Sequence, residues 1–506
     1  MLTGGMRRVV ALVAAVAAVW AFAATAAEAR WLKAESARFI VYSDGDEKTL
    51  RGYVQKLETF DTLLRLLHGL PPDEAPPRKL PIYLVRSVSQ LQFVQPALGD
   101  STAGVYMASS EDIFALAIRS RSEDDALMHE YVHHFMLQNF PYAYPAWLVE
   151  GYAEFYMTMD ANAEHVTWGE FNENRGHWLM SGRWIPLREL LVKTGGDMKR
   201  DTAVAMYYAQ SWLVTHYFLS DDERRKQLDA YLREVGAGAD SITAMETATG
   251  QKIDALDKTL KAYMNGKLGY KRVSASRFPT AAVTVTQLPA SAVDLLLLNQ
   301  RLKVAGTDRE KTLKLARQAA AKHPGDPTAR LMLGHGELHF GDRAAGVAAL
   351  RDLLADHSDH VEAMQFLAGE LLRDLGEGKG DEKALRAEAN ALLVRAYKLD
   401  PDDFRTLELA ARLREGQPGY PNDNDMQLWL SAYNLAPQLG TTRMGTARAM
   451  MHRGEFKEAI LLLGPMANSP HGGAWADHAR TLIDRAKAGQ GPGAPFKDEE
   501  TEAAED

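Results

Sequence analysis

The 506-residue chain contains no cysteine. That absence excludes disulfides, thiolate nucleophiles, cysteine-held zinc, iron–sulfur clusters and lipid anchoring through a cysteine. Any metal must be held by His, Asp or Glu. A basic excess is also missing: 58 Lys+Arg face 67 Asp+Glu, for a net charge of −9. Without surplus cations to neutralise phosphates, no nucleic-acid partner is expected. Beyond the first thirty residues no apolar stretch approaches the roughly 20 residues that a membrane-spanning helix needs. Apolar residues make up 46% and charged residues 25%, an ordinary globular balance that excludes a wholly disordered, collagen-like or polytopic membrane chain. At about 100–200 residues per domain, the length suggests two to four units.

The first segment is built differently. Arg7-Arg8 precede an apolar run from Val9 to about Ala24, and Ala24-Thr25-Ala26 and Ala27-Glu28-Ala29 follow as small-residue cleavage patterns. A positive start, a short apolar stretch and such an ending describe a secretory signal peptide over residues 1–29. The expectation is an exported protein, in the bacterial periplasm, with no integral membrane span after cleavage.

From residue 30 to 268 the chain mixes strands and helices. Strands are predicted at Arg38–Ser43 and Leu80–Val85, and a hairpin at Gly104–Met107 and Ile113–Ile118. Leu50, Tyr53, Leu57, Phe60, Leu63 and Leu64 recur at three- and four-residue spacing, as a helix requires. From Asp124 to about Leu268 the pattern is mainly helical. Residues 269–290 are polar and β-branched, with little helical period, and are expected to be a linker. Residues 291–488 are helical and repetitive. Ala321-Lys-His-Pro-Gly-Asp326 recurs as Ala355-Asp-His-Ser-Asp-His360, an offset of 34 residues, and Tyr397-Lys-Leu-Asp-Pro401 recurs as Tyr433-Asn-Leu-Ala-Pro437, an offset of 36. With Leu333-Gly334, Gly341, Leu350, Gly454, Ala459 and Leu463 at matching places, these units resemble tetratricopeptide repeats, about five helix pairs in all. Gly346 stands where that pattern has Ala. Residues 489–506 are Gly/Pro-rich and then acidic, an expected disordered tail.

The chemistry concentrates at His129-Glu130-Tyr131-Val132-His133 on a predicted helix. Residues four apart differ by about 40° around a helix and about 6 Å along it, so His129 and His133 can grip one ion. Glu130 beside them can take a proton from water and pass it to a leaving amine. After Pro141 comes Pro145-Ala-Trp-Leu-Val-Glu150-Gly-Tyr-Ala-Glu154, a second helix that must fold back on the first. His133 and Glu150 then lie at similar depth, about 8–9 Å from the turn. Glu150 can complete a His₂Glu set with an open position, the ligand pattern of catalytic Zn²⁺. Glu154, one turn on, suits an acceptor for the free N–H of a ligand histidine, with His129 the expected one.

His129 to Phe155 resembles the gluzincin metallopeptidases, in particular the peptidase MA-like group, which pairs H-E-x-x-H with a downstream W-x-x-E-G-x-A-E. Trp147, Glu150, Gly151, Ala153 and Glu154 occupy those places. Trp184–Leu190 and Tyr208–Trp212 look like later segments of the group, and the resemblance spans about Phe39 to Tyr263. It implies an α+β zincin-like domain, a small sheet plus helices, ahead of the all-α tetratricopeptide-like solenoid. It also implies that the 105–118 hairpin is the sheet edge lining the cleft. A tyrosine that stabilises the oxyanion is implied too. Tyr208 is the candidate and Tyr207 the next, against the plainer alternative of a tyrosine on an amphipathic helix. His134 points about 100° from His133 and is not an expected ligand. His165 and His177 are expected to be surface histidines, with a contact to substrate as the alternative. The expected function is an exported peptidase with one Zn²⁺, a protein or peptide substrate, and a protein partner on the repeats. The alternative is a non-catalytic envelope scaffold with a structural or vestigial zinc site.

Overall fold

Strand β2 (Phe39–Ser43) alternates buried and half-buried side chains, whereas β3 (Leu80–Val85) and β5 (Ile113–Ile118) are buried almost throughout. Continuous apolar runs of this kind belong in the interior of a sheet covered on both faces. In the computed structural model these strands join β1 (Leu32–Glu35), β4 (Gly104–Ala108) and β9 (Thr284–Gln287) in a six-stranded sheet, in the order β4-β5-β3-β2-β1-β9. β2, β3 and β5 are parallel, while β1 and β4 run antiparallel to their neighbours β2 and β5. β4 is an edge strand, as expected for the hairpin. The structure describes residues 30–100, 102–119, 124–304, 306–469 and 472–494. The expected signal peptide and residues 495–506 of the expected tail lie outside them.

Helix α1 (Glu47–Leu67) starts where the Asp46 carboxylate accepts the Thr49 N–H at 2.9 Å. Its Leu50, Val54, Leu57, Phe60 and Leu64 pack with Phe39, Val41, Ile82 and Ala115 on one sheet face. Leu127, Met128, Val132 and Phe135 of α2 (Asp124–Asn139) join the same core. α2 is tied to α1 by a buried polar contact. Tyr131 donates to Asp61 at 2.7 Å, and Asp61 is flanked by Arg38 and Arg65 at 2.6 and 2.8 Å. The other sheet face holds Tyr83, Val85, Phe114 and Leu116 against the short helix Val88–Val94 and the start of the repeat half at Ala292.

The first half is otherwise mostly helical, and a three-stranded antiparallel sheet interrupts it. That sheet consists of β6 (Asp160–Ala161), β7 (His165–Trp168) and β8 (Lys271–Ser274). β8 and β9 (Thr284–Gln287) correct the expected linker at 269–290. β8 pairs with β7, and β9 completes the large sheet beside β1. Both strands are largely exposed, so no apolar alternation announces them. Backbone pairing to a free neighbouring edge is what makes them strands.

The array comprises eleven helices among the described residues, from Ala292–Leu302 to Ala474–Lys487. Aspartates cap several of them: Asp326, Asp342, Asp381 and Asp403 each accept N–H groups of the first turn. The array packs on the first half at two places. Near its start, Gln300 donates to the Tyr83 hydroxyl, and Lys303 sits between Asp112 at 3.3 Å and Glu362 at 2.7 Å. Later in the array, Phe404, Ala436 and Leu439 enter the core that holds α1 and α2. Gln438 reaches Gln138 and His134 of α2 at 2.6 and 3.2 Å. No helix of the described residues is long and apolar enough to cross a membrane.

Because the halves share a core and two strands of the expected linker are paired, the intact chain should melt in one cooperative transition. It should also resist proteolysis between residues 271 and 287. Cleavage there that releases two stable fragments would show that the shared contacts carry no stability.

Candidate metal centre

The short connection Phe140–Pro145 returns the chain from α2 to α3 (Ala146–Tyr156). Helix α3 is seated by glycine. A Cβ at Gly151 would stand 2.2 Å from Thr215 Oγ1 and 2.3 Å from the Ser211 carbonyl oxygen of α5 (Asp201–Leu219). Any side chain there would push α3 off α5 and carry its neighbour Glu150 away from α2. Trp147, fully buried, holds the start of α3 by donating to the Tyr231 hydroxyl at 3.2 Å.

This packing brings together the side chains picked out by spacing. His129 Nε2 and His133 Nε2 are 3.1 Å apart, and Glu150 Oε2 lies 3.3 Å from the first and 3.6 Å from the second. Ligand atoms about 2.0–2.2 Å from one tetrahedral ion are separated by about 3.3–3.6 Å, so the triangle is close to one face of a zinc coordination shell, with the two histidines slightly nearer each other. The fourth corner has no protein ligand among the described residues. Glu130 is half-buried and is not one of the three converging groups.

Glu154 lies behind the centre. Its Oε1 is 3.2 Å from His129 Nδ1, which orients the ring so that Nε2 faces the other ligands. Arg175 of α4 (Glu173–Ser181) grips the same carboxylate with two bonds of 2.7 Å, from Nε and from Nη2. Asn172, the cap of α4, adds a longer contact at 3.4 Å. His133 has no such support: its Nδ1 is buried without a hydrogen-bond partner.

Glu150 and Glu154 are 1% and 0% exposed. Burial alone would raise both carboxyls. Instead the histidine charges hold Glu150 well below the usual range, and Arg175 with His129 holds Glu154 below it. Burial opposes the His129 charge, yet the two carboxylates outweigh it and raise that histidine to about 10. The pocket therefore favours a positive charge where the ligand atoms meet, which a divalent cation supplies more strongly than a proton.

The two candidate tyrosines separate cleanly. The Tyr207 ring is fully buried, and its hydroxyl donates to the Lys193 carbonyl at 3.0 Å. Tyr208 is half-buried, with its ring 6.1 Å from the His129 ring and the Arg175 guanidinium 5.5 Å over it. Burial and the negative charges of Glu150 and Glu130 push its hydroxyl upward, so it is a neutral donor. His134 faces away from the centre, 3.0 Å from the Tyr106 hydroxyl on edge strand β4. His165 lies in β7 and His177 is exposed on α4; neither joins the ligand group. Arg175, Asn172 and Tyr106 were not legible from the sequence. No spacing rule links them to the motif, and only the packing of α4 and β4 brings them near.

Glu154→Ala should weaken zinc binding by about 10–100-fold in a competition titration while the fold persists. Binding at the wild-type level would reduce Glu154 to a structural partner of Arg175. A second outcome concerns pH. In the zinc-stripped protein the raised His129 contributes stability fully below its ordinary value near 6.5 and loses it as pH rises through about 10. Urea midpoints of the stripped chain should fall across that window, and His129→Ala should flatten the slope.

Compared with protein-family models, curated proteins and solved structures, the chain shows no match.

Proposed function

We propose that this protein is an exported zinc metallopeptidase of the gluzincin type, active on peptide bonds of a protein or peptide. The observation that carries the proposal is the convergence of His129, His133 and Glu150 on one point, with Glu130 adjacent and uncommitted to that set. A site that only held structure would gain nothing from a carboxylate placed beside its ligands.

Zn²⁺ held by His129, His133 and Glu150 would supply Lewis-acid polarisation of the scissile carbonyl and would lower the pKa of its water toward about 7. Glu130 takes the proton of the attacking water and delivers it to the leaving amine. Tyr208 donates its hydroxyl proton in a hydrogen bond to the developing oxyanion. Glu154 and Arg175 keep the His129 ring in place throughout. Strand β4 lies at the sheet edge, unpaired on its outer side among the described residues, and an extended peptide can align there. The tetratricopeptide-like array presents a surface for a protein partner or for the substrate itself, and its contacts with α2 keep that cargo close to the centre.

Glu130→Gln should leave metal content unchanged and reduce peptide turnover by about 10²–10⁴-fold. The same variant, isolated from the envelope, should co-purify with its uncleaved substrate. If Glu130→Gln keeps the complete phenotype of the wild type, the scaffold alternative replaces the enzyme.

A further inference from the structure

A second pair of histidines one helical turn apart lies in the repeat half. His335 and His339 occupy one face of the helix Pro327–Phe340. A carboxylate from the other half meets them: Glu111, in the turn between β4 and β5. Its Oε2 is 3.0 Å from His335 Nε2, and its Oε1 is 3.4 Å from His339 Nε2. The ligand atoms of all three residues lie within 4.8 Å of one another.

Several of these atoms have no hydrogen-bond partner, although the Glu111 carboxylate also lies in the field of Arg405. His335 is 1% exposed, and its Nδ1 and Nε2 both lack a hydrogen-bond partner, as does Glu111 Oε2. Buried imidazoles almost always satisfy at least one nitrogen. At 3.0 Å the His335–Glu111 approach has the distance of a hydrogen bond without its alignment. Lone pairs directed past each other in this way suit a third body between them. The His335 ring packs on Phe366 with centroids 4.1 Å apart, which holds its edge toward Glu111. His339 is partly exposed and leaves the group open to solvent on one side.

We propose that Glu111, His335 and His339 form a second divalent-metal site, taking Zn²⁺, that staples the repeat array to the β4–β5 hairpin. The donor set is the His₂Glu combination zinc accepts. The role differs from that of the first centre. Gly336 comes after His335 where Glu130 comes after His129. The carboxylate on the next residue, Glu337, is taken by Arg317 at 2.6 and 2.9 Å and by the Asp342 N–H at 3.1 Å. Neither of these positions after the first histidine offers a free base to activate water, which fits a structural role. Its ligands come from both halves, so metal binding favours the docked arrangement over any state in which the halves separate.

The test uses the full chain, stripped of metal, reloaded with excess Zn²⁺, desalted and assayed by elemental analysis. Wild type should hold two equivalents. Glu111→Gln and His339→Ala should each hold one and lose that part of the zinc-dependent rise in melting temperature that a His129→Ala protein retains. Because His339 is partly exposed, its replacement should leave the stripped protein's circular dichroism unchanged. Two equivalents in both Glu111→Gln and His339→Ala would overturn the proposal. So would a single wild-type equivalent that disappears in His129→Ala. A single equivalent that survives in His129→Ala and disappears in His339→Ala would support the staple and remove the first centre instead.

Discussion

Two carboxylates inside the protein set the terms for the rest of the first half. Glu150 and Glu154 lie one turn apart on α3 with almost no solvent access. A buried carboxylate without compensation costs several kcal/mol, so each must be met by positive charge or by donors. His129 stands between them and contacts both. Arg175 closes on Glu154 and lies over Tyr208 in doing so. The demand for compensation therefore draws α2 and α4 toward α3. Gly151 makes this possible sterically, because it lets α3 approach α5 to backbone distance. Behind the centre, Tyr131 on Asp61 fixes the rotation of α2, so that the histidines face inward.

The repeat half is built over the first half. It begins beside the sheet, where Gln300 and Lys303 contact Tyr83 and Asp112. It returns to α2 through Gln438, and Leu439 and Phe404 enter the same apolar core as Phe60 and Phe135. Residues that share a core unfold together, so the array and the metal centre are expected to be energetically coupled. The first centre and the Glu111–His335–His339 group use the same local device, two histidines four apart on a helix with one carboxylate from elsewhere. They differ in the residue next to the first histidine: a carboxylate in one, a glycine in the other. On the proposed reading, that difference separates a group with a base beside its ligands from one without.

The pairing of His129 with His133, and the place of Glu130 beside them, follow from helix periodicity and needed no tertiary information. Glu150 was within reach of the same argument because the turn at Phe140–Pro145 is short, which fixes the depth at which two helices face each other. The strands β2, β3 and β5 announced themselves as apolar runs, since buried strands must be apolar. Other features are decided only by folding. β8 and β9 are exposed and carry no hydrophobic alternation; they are strands because β7 and β1 present free backbone edges to them. Tyr207 and Tyr208 are adjacent and chemically identical, but a helix turns about 100° between them, and packing sends one into the core and the other toward His129. Arg175 and Glu111 are ordinary charged residues in sequence, far from the groups they meet. A helix or a strand is a local period and can be read from neighbours along the chain. An ion pair or a ligand set depends on distances in space, and those exist only once the chain has folded.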